Sequence, residues 1–127
     1  HGLPQNPVRG AIMDDPAGLD MYSYLKEMKY EGDQKYLVPF GNDSAVWKQQ
    51  SAIYKIRSGV PPFIFYIGGE TYPSISGSSG RFRDRLKAIG QPAPYTIIPG
   101  RHHIPMVLQL YWQHNIIYQG LLKMVGA

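Results

Sequence analysis

The run Phe63-Ile-Phe-Tyr-Ile67 shows no alternation of apolar and polar residues, and it sits between Pro61-Pro62 and Gly68-Gly69. A strand of that kind needs cover on both faces, which a parallel sheet flanked by helices supplies and a half-solvated antiparallel sheet does not. Two more short apolar runs fit the same role. Val8-Arg-Gly-Ala-Ile-Met13 ends at Asp14-Asp15-Pro16, where the proline biases Asp15 away from helix, and Tyr95-Thr-Ile-Ile98 ends at Pro99-Gly100.

Helical spacing fills the intervals. Leu19, Tyr22, Leu25 and Met28 recur between Gly18 and about Lys29, and Glu31-Gly-Asp-Gln34 reads as a turn. Asp43-Ser44 can cap a helix through Gln50 with Trp47 as its inward anchor, and Ser51 to Gly59 is a connector. The Tyr-, Pro-, Ser- and Gly-rich stretch from Thr71 to Gly80 is predicted as a loop. Ser78 or Ser79 then caps a helix to Ile89 whose buried stripe is Phe82, Leu86 and Ile89, with Gly90 at its end. Met106 to Trp112 and Ile116 to Val125 close the chain as helices, the second with Ile117, Leu121 and Met124 on one face. Strand–helix alternation of this order predicts an α/β fold with a parallel sheet of about three strands. So small a sheet leaves its innermost strand with an unpaired apolar edge, so further strands are expected before Val8, from an N-terminal half or a second chain.

Composition removes several function classes. At 127 residues the chain is read as one partial domain spanning 1–127, and 43% apolar with 17% charged residues describes a globular chain rather than a disordered one. No stretch approaches the ~20 consecutive apolar residues of a membrane-spanning helix. The absence of cysteine removes disulfides, thiolate catalysis and Cys-based zinc sites, but fixes no compartment. The chain opens on His1-Gly2 without a methionine, which fits either a removed upstream segment or an expression remnant. A net charge of +4 raises nucleic-acid binding, yet Arg81, Arg83, Arg85 and Lys87 alternate around the buried stripe, with Asp84 among them. They read as a solvated helix face, and no nucleic-acid partner is expected.

The chemistry-bearing residues gather where the strands end. Glu70 follows the second strand, Asp14 and Asp15 follow the first, and Gly100-Arg-His-His103 follows the third. No Gly-x-Ser-x-Gly and no other activated nucleophile accompanies them. His102, His103 and His114 with Glu70 lack the i, i+4 histidine spacing of a helical zinc motif, so no metal and no cofactor is expected. Gly77-Ser-Ser-Gly80 has a phosphate loop's composition, but no Lys-Ser/Thr follows it.

Taken in order, Val8-Arg-Gly-Ala-Ile…Gly18-Leu-Asp20, Phe40-Gly-Asn-Asp43…Trp47, Pro61 to Glu70, Phe82…Leu86-Lys-Ala-Ile-Gly90 and Ile98-Pro-Gly-Arg-His-His103 resemble the C-terminal half of an α/β-hydrolase of the esterase/lipase group. The resemblance implies that the nucleophile elbow and oxyanion hole lie upstream, that His103 is the catalytic base with His102 its neighbouring alternative, and that the substrate is a small-molecule ester. It also implies an acid. Family members usually carry an Asp two or three residues beyond the Gly after the middle strand, and here that slot holds Tyr72, which supplies no charge near neutral pH. Glu70 in the same loop is the first candidate for the acid. Asp14 or Asp15 is the alternative, in the place some lipases of this fold use, and Asp20 is a third option that reads equally as a turn or cap residue. Tyr72 is then a candidate for substrate binding, and Tyr66 and Tyr95 are possible pocket walls. A non-catalytic binding module on the same scaffold is the rival reading.

Overall fold

The computed structural model describes residue 2 and residues 7–126. Three strands, β1 (Ala11–Asp14), β2 (Phe63–Gly68) and β3 (Tyr95–Ile98), form one parallel sheet in the order β1-β2-β3. Ala11 lies opposite Phe63 and Phe65 opposite Tyr95. β1 is shorter than its apolar run because this register sets Pro61 and Pro62 beside its start. Neither proline has an N–H to donate, and the ladder opens with the Ala11 amide on the Pro62 carbonyl at 2.9 Å.

The connections carry six helices: α1 (Met21–Glu27), α2 (Leu37–Phe40), α3 (Ser44–Gln50), α4 (Pro73–Ala88), α5 (His103–Leu108) and α6 (Ile116–Val125). The unalternating β2 is covered on both faces, as its composition requires. Phe65 and Ile67 face Leu19, Ile53, and Phe82 and Leu86 of α4. Tyr66 faces Met106 of α5 and Ile117 of α6 on the other side. A satellite cluster joins Met21 and Leu25 of α1 to Trp47 of α3, whose indole N–H donates to the Gly41 carbonyl at 2.9 Å. Asp43 caps α3 by accepting from the Ala45 amide at 2.8 Å.

Two elements depart from the sequence reading. The predicted loop from Thr71 is helical from Pro73 onwards. Proline costs nothing at the first helical position, and Ile75, Ser78 and Ser79 extend the buried stripe of Phe82 and Leu86 by two turns, so burial overrides the weak propensities of Gly77 and Gly80. Ile89 leaves that stripe and is exposed at the helix end. There Gly90 takes φ +74° and the Gln91 amide returns to the Leu86 carbonyl. α5 likewise begins at His103 rather than Met106, because Pro105 falls in the first turn where its missing N–H breaks no bond. It passes into a 3-10 turn at Gln109–Tyr111.

Candidate active site

The C-terminal ends of the three parallel strands share one edge of the sheet, and the segments leaving them carry Asp15, Glu70, Tyr72, His102 and His103, whereas Asp14 ends β1, Tyr66 lies inside β2 and Tyr95 begins β3 at the opposite end. β1 stops at Asp14. Asp15 then adopts a left-handed backbone, φ +46°, that turns its side chain across the strand ends, while its amide still bonds to the Tyr66 carbonyl at 2.8 Å. The residue is 1% exposed.

Three groups converge on its carboxylate. The Gly68 amide at the end of β2 donates to Oδ1 at 2.9 Å, the Thr71 hydroxyl to Oδ2 at 2.5 Å, and His103 Nδ1 lies 2.7 Å from Oδ2. An ionised carboxylate only accepts, so Nδ1 of His103 is the donor, and the neutral ring then presents Nε2 as a bare acceptor. Nε2 has no protein partner among the described residues. The imidazole is partly open to solvent, and the Tyr72 ring stands 5.9 Å from it, centroid to centroid, tilted by 58°.

Close approach of two loops sets this geometry. A Cβ on Gly68 would lie 2.3 Å from the Arg101 carbonyl oxygen, and one on Gly69 3.2 Å from that of Ile98. With glycine at both positions, the Gly69 amide reaches the Ile98 carbonyl at 2.8 Å and the Glu70 amide reaches the Arg101 carbonyl at 3.0 Å. The β2–α4 loop is thereby zipped to the loop that ends in His103.

The other candidates have different partners. Glu70 Oε2 lies 2.9 Å from Nε2 of His102, whose Nδ1 is 2.9 Å from the Glu70 carbonyl, and both side chains are well exposed. Asp20 caps α1 by accepting from the Ser23 amide at 3.2 Å and binds Arg81 at 2.8 Å. Asp14 has both carboxylate oxygens buried without a hydrogen-bond partner. Its pKa is raised from 3.8 to about 6, first by burial and then by the Asp15 charge, with His103 partly opposing. Tyr66 is buried in the core, and Tyr95 stacks on Phe65 beneath the Arg83 guanidinium. Of the basic helix face, Arg81 is tied to Asp20, Arg83 to Asp84, and Arg85 lies over Tyr54. No group of three or more metal-ligating side chains gathers among the described residues, and none of their helices is long and apolar enough to cross a membrane.

Sequence reasoning missed Thr71 and Gly68 as the groups that hold Asp15, since these contacts span 56 and 53 residues. It also missed a cleft of about 850 Å³ beside His103 and Tyr72, walled by Tyr24, Tyr30, Tyr36 and Phe40. Only tertiary structure brings that aromatic set, drawn from α1, α2 and the turn between them, to the strand ends.

No family model matches the chain, and no curated protein matches it. Among solved structures it is similar to the native form of esterase 2, a thermophilic esterase from the Planctomycetes species Thermogutta terrifontis, with a TM-score of 0.59 and 20% identity over 94% of this chain and 40% of that one. The butyrate-bound form of that esterase matches with a TM-score of 0.59 and 19% identity over 98% and 46%. The form phosphoramylated by tabun gives 0.56 and 21% over 94% and 40%. The chain spans less than half the length of these structures. Three parallel strands with helices on both faces, together with this likeness, make the fold that of part of an α/β-hydrolase.

Proposed function

We propose that the chain is the C-terminal portion of a serine-dependent carboxylic-ester hydrolase, with His103 as general base and Asp15 as the acid that orients it. The observation that carries this reading is the 2.7 Å contact between Asp15 Oδ2 and His103 Nδ1, made by a fully buried carboxylate at the strand ends of an α/β-hydrolase fold. Glu70, first in line from sequence, is paired with His102 at the surface, which leaves Asp15 in the acid's role.

In the proposed reaction, Nε2 of His103 removes the proton from a serine hydroxyl as the oxygen attacks the ester carbonyl. The imidazolium is stabilised through Nδ1–H by Asp15, and it returns the proton to the departing alkoxide. Water then repeats the sequence on the acyl-enzyme to release the acid and restore the serine. The serine and its oxyanion hole come from residues outside these 127. A strand beside β1 would bring them to this edge, either upstream in the same polypeptide or on a second chain. Val107, Leu108, Trp112 and Leu122, exposed on α5, α6 and the turn between them, are apolar surface that fits a further layer over that face of the molecule. The rival reading, a binding module on a hydrolase scaffold, gives no reason for a buried carboxylate to grip the ring of His103.

The test compares these 127 residues with the longer polypeptide that carries them, using phenyl acetate. The longer protein is expected to hydrolyse the ester and to lose that activity with His103→Ala, while the 127 residues alone are inactive. Hydrolysis by the 127 residues alone, undiminished by His103→Ala, would overturn the proposal.

A further inference from the structure

The cleft beside His103 has a composition that the triad does not require. Its volume of about 850 Å³ falls within the range of small-molecule sites, roughly 300–1,000 Å³. His103 lies at one side with Tyr72 against it, and Tyr24, Tyr30 and Tyr36 line the wall contributed by α1 and the segment after it. Tyr30 and Tyr72 expose about half or more of their surface and offer ring faces to a ligand.

Two of the three cations around the cleft are paired with carboxylates. Arg81 is bound by Asp20, Lys29 by Glu27, Lys35 lies over the Tyr36 ring, and Asp33 accepts from the Tyr24 hydroxyl at 2.6 Å and the Tyr30 amide at 2.9 Å. With four acidic side chains against three basic ones, the lining is net negative and does not favour an anionic substrate. What the walls offer is aromatic surface, which favours planar rings over saturated ones of equal size.

Resting on the hydrolase reading above, we infer that the cleft selects neutral esters bearing an aromatic ring, held between Tyr72 and the Tyr30–Tyr36 wall with the ester carbonyl beside His103. Tyr72 and Tyr30 then determine specificity, and neither takes part in proton transfer.

Binding and turnover separate the two claims. N-benzylacetamide and N-(cyclohexylmethyl)acetamide are unreactive and nearly equal in size, and their binding to the 127-residue chain is followed by NMR. The aromatic amide is expected to bind about fivefold more tightly, a difference of the size ring–ring contacts give. Its binding should shift the His103 and Tyr72 signals, and the preference should shrink towards unity in both Tyr72→Leu and Tyr30→Leu. Equal affinities, or shifts confined to other surfaces, would overturn the inference. In the longer polypeptide, benzyl acetate should exceed cyclohexylmethyl acetate in kcat/KM by a similar factor, their leaving alkoxides being of similar basicity. Equal kcat/KM with activity present sinks the aromatic selection and leaves the hydrolase reading standing. Selective amide binding without any hydrolysis does the reverse.

Discussion

At Asp15 one carboxylate answers to three parts of the chain: the end of β2, the loop before α4 and the first residue of α5. Asparagine there keeps the shape but loses an acceptor oxygen, leaving Thr71 or His103 facing an amide. Asp15→Asn is therefore expected to lower stability by about 1–3 kcal/mol in urea unfolding. Thr71→Val, which removes one neutral donor, should cost about 1 kcal/mol in the same measurement. Asp14 makes the opposite case. Its folded-state pKa of about 6 lies above the ordinary 3.8, so its ionisation weakens the fold as pH rises through that interval, and the penalty is absent below it. Asp14→Asn should thus stabilise the chain above pH 6 by on the order of 1–2 kcal/mol after allowance for screening, and by nothing near pH 3.5. Unfolding midpoints of the two proteins across that range check the sign. The place of His103 at the strand ends was legible in the sequence because Gly-x-x-His after a strand is a local pattern. The pairing of its ring with Asp15 rather than Glu70 was not, since the contact spans 88 residues and depends on a left-handed turn at Asp15 that no short motif announces.

The elements show where local propensity governs and where packing overrules it. β2 was readable from its lack of alternation, and α3 from its Asp43 cap and Trp47 anchor. The first two turns of α4 were hidden under a Pro-Ser-Gly composition whose buried face becomes visible only against the sheet. Two glycines separate these influences. Gly68 exists for the approach of the Arg101 carbonyl, and Gly68→Ala is expected to destabilise by about 1–3 kcal/mol through overpacking and to pull His103 away from Asp15. A Cβ on Gly80, inside α4, would meet nothing within 4 Å, so Gly80→Ala should stabilise by about 0.5–1 kcal/mol. Thermal unfolding of the two variants beside the parent chain gives both signs in one experiment.

For the molecule as a whole, a three-stranded sheet covered on both faces still leaves much apolar side chain uncovered on α5, α6 and the turn between them, Trp112 at 60% exposure among it. The strand count predicted an unpaired apolar edge at the first strand, whereas the apolar surface on α5 and α6 is a separate feature that could be located only once those helices had been placed on one face of the sheet. Isolated, the 127 residues are expected to self-associate as concentration rises in sedimentation, and Leu108→Lys with Leu122→Lys should suppress this without disturbing the core. The proposed function rests on the Asp15–His103 pair, which under that proposal is half of a mechanism. Its most direct test is phenyl acetate hydrolysis by the longer polypeptide carrying either Asp15→Asn or Glu70→Gln. Loss of the orienting acid should lower kcat by roughly 10³–10⁴-fold, and the Glu70 change should leave it within about threefold. A Glu70→Gln protein that is inactive beside an Asp15→Asn protein of normal rate would contradict the assignment outright.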